Sequence, residues 1–151
     1  MTVTFEPLHP GLRVEARHVA RIIEGLRDRT LPKPEWTHCA HLTAAAALID
    51  EFGEPDAAVK TPDLIRAYNE AAGGENSDSE GYHHTITLFF LKQIEQYLEP
   101  YAGEALAARV TRLLASPLAE PNYPLLHYSK ELLFSVKARR EWVAPDLKSM
   151  T

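Results

Sequence analysis

The sequence holds one cysteine, Cys39, in 151 residues. An internal disulfide framework is excluded, and the chain suits a reducing compartment. Long apolar runs are missing too. The longest, Ala44–Ile49, is far shorter than the ~20 residues that span a bilayer, so no membrane partner is expected. Positive charge is in deficit: 16 Lys and Arg stand against 21 Asp and Glu, a net charge of −5. That balance repels nucleic acid and anionic membrane surfaces. The opening MTVTFEPLHPGLRVEARH has no basic segment leading into an apolar one, so no secretory leader is expected and a soluble, cytoplasmic protein is the expectation. No Gly-rich phosphate loop, serine elbow, dinucleotide fingerprint or His-Glu-x-x-His occurs, so no nucleotide-binding, serine-hydrolase or zincin signature is present.

Strand alternation is scarce as well. The valine-threonine run at residues 2–5 is its one candidate. Helical periodicity dominates what remains, and it predicts an all-α, single-domain, up-down bundle of about five to six helices. Residues 1–12, with Pro7, Pro10 and Gly11, read as an irregular arm. Val14–Arg29 carries Val19, Ile22, Ile23 and Leu26 at helical spacing. Leu31-Pro-Lys-Pro breaks that helix, and Thr37 caps a second one that runs to Phe52. Thr61-Pro62-Asp63 has the form of a helix start, so a third helix is expected from there to Ala72. Ser77 and Glu80 resemble a capping box for a fourth helix ending at Pro100. A fifth covers Gly103–Ala115, a sixth Lys130–Trp142, and residues 144–151 read as an irregular tail within the same 1–151 domain.

Three histidines fall on inward stripes. His38 and His41 lie one turn before Leu42, Ala45, Leu48, Ile49 and Phe52, and His83 joins Ile86, Phe90, Ile94 and Tyr97. Short connections favour antiparallel neighbours, which would bring His38, His41, His83 and His127 to one end. A helix N-terminus and desolvation both disfavour imidazolium, and neutral imidazole is the form that binds a divalent metal. His38, His41 and His83 are therefore candidate ligands for a transition metal: zinc, iron, manganese or nickel. His84, Tyr82 and Glu70 are candidate catalytic groups beside it, with Tyr68, Asn69, Asp78 and Glu80 near the same end. Each also has a structural reading, as a hydrogen-bonded core residue or a solvated carboxylate. Cys39, in the first turn of the second helix, is expected to have a lowered thiol pKa, without an oriented base. Arg13, Arg17 and Arg21 form a basic stripe suited to pairing with Glu15 and Glu24.

The strings EWTHCAHL, AYNEAAG, GYHHTIT, LLASPL and YSKELLFSVKARREWVAPDL resemble a family of small uncharacterised bacterial proteins. The family reads W-T-H-x-A-H-L, R-Y-N, G-Y-H-E-T-x-T, Y-S-x-E-x-L-F-S and W-V-x-P-D-L. The resemblance covers most of residues 35–147. It carries over His38, His41 and His83, places a glutamate where this chain has His84, and lends no reaction.

These features give a first expectation of metal-assisted hydrolysis of a small molecule at one bundle end, with a bound water as nucleophile. A second is a non-catalytic pocket for a small molecule or anion. A third is a protein-interaction module using an exposed C-terminal segment that includes Trp142. A small-molecule ligand is the expected partner, and association into a homo-oligomer stays open.

Overall fold

A helix that is apolar on every side has to be enclosed by others. The segment after Thr37 is such a helix. It forms α2 (His38–Phe52), in which Leu42, Leu48 and the alanines at 44–47 are buried. The small alanine side chains let neighbours come close. α1 (Ala16–Asp28), α3 (Glu54–Ala71), α4 (His84–Leu98) and α5 (Leu106–Leu114) all pack against α2. Short α6 (Lys130–Leu133) and α7 (Val136–Arg140) complete the set. The computed structural model describes residues 6–151, and among them the fold is all-α, with seven α-helices, four 3-10 turns and no strand. The run at residues 2–5 lies outside the described residues.

Thr37 caps α2 as expected, its hydroxyl accepting from the Ala40 N–H at 3.2 Å. Three boundaries differ from the sequence reading. α3 starts at Glu54, not at Thr61. Gly53, at φ 81°, makes the whole bend between α2 and α3, and Pro55 sits in the first turn, where a missing N–H costs nothing. Pro62 lies inside the helix, leaving the Ala58 carbonyl without its usual donor. Thr61 is thereby a mid-helix residue, and it is buried.

α4 starts at His84, and its cap is His83, not Ser77. Ser77 and Glu80 do bond to each other, the Ser77 N–H to the Glu80 carbonyl (2.9 Å) and the Glu80 N–H to the Ser77 hydroxyl (3.3 Å), but they close a turn in the loop. The expected last helix is two, because Ser135 caps α7 just as Ser129 caps α6.

The tail has no helix but is fixed. The Thr85 hydroxyl donates to the Glu141 carbonyl (2.8 Å) and accepts from the Val143 N–H (3.1 Å). The Tyr128 hydroxyl donates to the Val143 carbonyl (2.6 Å), and His127 Nδ1 to that of Lys148 (3.0 Å). Trp142 packs on the core, with Lys92 Nζ 5.5 Å from its ring centroid. It is not the exposed docking residue expected. In the basic stripe, Arg17 pairs with Glu15, whereas Arg21 makes a two-pronged ion pair with the buried carboxylate of Glu35 (2.7 Å), not with Glu24.

Candidate functional site

The first turns of α2 and α4 lie side by side, with α3 across from them. Between them is a cavity of about 330 Å³, within the range of small-molecule sites. Leu26, Leu42, Ile65, Ile86, Phe90 and Leu91 give it apolar walls. Among the described residues none that lines it is charged, and its polar groups are Trp36, His38, His41, Thr61 and Thr87. Trp36, His41, Ile65, Ile86 and Thr87 also line a second, more polar pocket, with Lys33, Tyr68, Asn69, Glu80, Tyr82 and His83. The Trp36 and His41 rings, 3.8 Å apart between centroids and tilted by 31°, belong to both pockets.

A carbonyl oxygen can only accept, so a ring nitrogen bonded to one must carry the proton. His41 Nδ1 donates to the Thr37 carbonyl (2.7 Å), and His38 Nε2 donates to that of Leu118 (2.9 Å). His41 Nε2 and His38 Nδ1 therefore hold free lone pairs. Burial pulls the His41 pKa down to about 4 and lowers that of His38. Both rings are neutral at pH 7.

His83 is used differently. Nε2 donates to the Leu133 carbonyl (2.7 Å), and Nδ1 accepts from the Ile86 N–H (3.1 Å) as the cap of α4. Its ring keeps no lone pair for a metal ion. The expected ligand set His38, His41 and His83 is thus short of one donor. Among the described residues no group of three His, Cys, Asp or Glu is arranged to hold a metal. His127 lies elsewhere, against Phe89 at 5.3 Å between ring centroids.

Tyr82 lines the second pocket, and its hydroxyl shares a 2.7 Å hydrogen bond with His84 Nδ1. Burial pushes the Tyr82 pKa up to about 12 and lowers that of His84, where Arg66 adds a repulsion. The pair stays un-ionised near neutrality. His84 and Glu70 line neither cavity; a Glu70 oxygen sits at the edge of hydrogen-bond reach from Asn76 Nδ2 (3.5 Å). Asp78 is paired with Arg140 (2.6 Å). Cys39 is buried, which raises its thiol pKa, against the lowering expected from the helix terminus.

Comparison with protein-family models, curated proteins and solved structures gave no match.

Two residues at the cavity escaped the sequence reading. Trp36 Nε1 and Thr61 Oγ1 are buried and have no hydrogen-bond partner among the described residues. An unmade hydrogen bond on a buried donor costs about 1–3 kcal/mol. Three other helical threonines bond back to the carbonyl one turn earlier, Thr43 to Cys39 (2.8 Å), Thr87 to His83 (2.8 Å) and Thr111 to Ala107 (2.9 Å), and Thr85 donates to the Glu141 carbonyl (2.8 Å). Thr61 does neither, and it is 3% exposed. The signal for Trp36 lay in the W-T-H string itself. Thr61 was hidden by its resemblance to a cap.

The wall of the second pocket is the loop between α3 and α4, pinned from inside. Asn76 Oδ1 accepts from the Tyr82 N–H and from Asn69 Nδ2 (both 3.1 Å), and Asn76 Nδ2 donates to the Arg66 carbonyl (3.0 Å). Gly81, at φ 80°, is required there, because a Cβ would stand 2.1 Å from the Glu75 carbonyl oxygen.

Proposed function

We propose that this protein binds a small, largely apolar molecule in the cavity between α2, α3 and α4. The observation that carries the reading is the cavity itself, about 330 Å³ with apolar walls and with the His38 and His41 rings on it, each keeping one unshared lone pair. A few fixed polar groups in an apolar cleft are the usual make-up of a small-molecule site.

Toluene is a suitable first probe. We expect a saturable shift of the Trp36 indole N–H resonance at one-to-one stoichiometry, with a rise in Tm. No shift up to the solubility limit would overturn the reading.

The metal-assisted hydrolysis expected from the sequence would have to rest on His38 and His41. One observation favours it: each ring is oriented by a backbone carbonyl and keeps one lone pair, as metal-bound imidazoles do. Elemental analysis decides between the two readings. On the binding-module reading, purified protein holds no stoichiometric zinc, iron, manganese or nickel, and chelators leave toluene binding unchanged. A stoichiometric metal lost in His38→Ala and kept in His83→Ala would carry the metal reading.

A further inference from the structure

Resting on the binding-module reading, we infer that the ligand is an amphipathic molecule that runs through both pockets, its apolar chain in the first and its polar end in the second. The two pockets, about 330 and 410 Å³, share Trp36, His41, Ile65, Ile86 and Thr87. His41 belongs to α2, Ile65 to α3, and Ile86 and Thr87 to α4. Pockets on opposite sides of one helix would share residues of that helix alone. These share residues of three helices and of the turn before α2. They therefore meet end to end within one cleft, at the level of the stacked Trp36 and His41 rings.

The wall changes character along that cleft. Leu42, Phe90 and Leu91 line the first pocket and not the second, and among the described residues no charged group lines the first. The second has Lys33, Glu75 and Glu80 on it, all three exposed. A head group between them keeps its water, and they carry both signs, so the rim asks for polarity rather than for one charge. The junction is not sealed. His41 is partly exposed, and its Nε2, which makes no hydrogen bond, is not among the buried polar atoms that lack a partner. A wholly apolar molecule of that length would leave its far end among charged groups. A small polar one would leave the apolar end of the cleft unfilled.

Two uncharged amphiphiles test this, n-hexyl and n-octyl β-D-glucoside, each used below its micelle concentration and followed by NMR. We expect saturable one-to-one binding that displaces toluene, with the octyl chain about tenfold tighter than the hexyl. Intermolecular NOEs should run from the terminal methyl to Leu42 and Phe90, and from the sugar to Asn69 and Tyr82. Ala72 lines the second pocket only. Ala72→Trp should therefore keep toluene binding and weaken octyl glucoside at least tenfold. Three results would overturn the spanning ligand and leave the first pocket in place: sugar contacts outside the second pocket, toluene binding with no binding of either glucoside, or an undiminished glucoside affinity in an Ala72→Trp protein that still binds toluene. No saturable response to toluene or to either glucoside would overturn the pocket reading, and this one with it.

Discussion

The first turns of α2 and α4 carry histidines and put them to opposite uses. At α4 the histidine is the cap itself: His83 takes the Ile86 N–H on one nitrogen and gives its other proton to Leu133. At α2 a threonine does the capping. His38 and His41 are thereby released from that duty, and each needs only one nitrogen to hold its ring in place. One hydroxyl at the cap position separates a structural imidazole from two that can face a ligand. Inward placement near a helix start is common to all three and does not distinguish them.

Acid should break this contrast most strongly at His41. Its pKa is about 4 in the fold, against 6.5 ordinarily. Between those values the unfolded chain binds more protons than the folded one, so stability falls as the pH is lowered. The contribution is whole above pH 6.5 and gone below pH 4, and amounts to something on the order of 3 kcal/mol. His38 and His83 are lowered in the same direction, again by burial. Urea unfolding across that range should show the slope, and His41→Gln should flatten it more than any other single histidine replacement. An unchanged slope in that variant would mean the ring is not held neutral by burial.

His83 tests the other half of the comparison. His83→Ala removes a cap, worth about 1 kcal/mol, and strands the Leu133 carbonyl, at about 1 kcal/mol more. We expect a loss of about 2 kcal/mol from these two causes together, with toluene binding intact. Asparagine caps well, so His83→Asn should recover roughly half of the loss. Equal losses for both variants would show that capping is not what His83 contributes. A loss of ligand binding in both, with the fold intact, would place His83 with His38 and His41 after all.

Much of the fold was legible because it rests on local signals. The apolar periodicity of α1 and α4, the Thr37 cap and the Gly53 break each act within a few residues. Thr61-Pro62 misled because a proline after a hydroxyl looks the same at a helix start and inside a helix. Only the preceding Gly53-Glu54-Pro55, a stronger start, separates the two. Ser135 divided the last helix by the same kind of capping that Ser129 performs, within a segment whose apolar spacing gave no hint of it. The site was legible only in part. The wheel turned His38, His41 and His83 inward toward one site, whereas the structure sets His38 and His83 in different pockets that share His41, and periodicity says nothing of which ring nitrogen is already taken. That depends on Leu118 and Leu133, far away in the chain. That Trp36 Nε1 and Thr61 Oγ1 are buried without a partner is less visible still, because an unmade bond leaves no pattern in the sequence.

The smallest expected effect is also the one with the unusual sign. Thr61→Val keeps the shape of the side chain and deletes an unpartnered hydroxyl that is 3% exposed. Its removal should stabilise the protein, by about 1 kcal/mol, or about 2–4 °C in Tm for a chain of this size. Thr43, a buried threonine of α2, bonds to the Cys39 carbonyl. Thr43→Val should therefore have the ordinary sign and destabilise by about 1 kcal/mol. Opposite signs at two buried threonines, read from paired thermal melts, would separate an unpartnered hydroxyl from one bonded within its helix. Equal losses at both positions would mean that the Thr61 hydroxyl is hydrogen-bonded in the fold as Thr43 is.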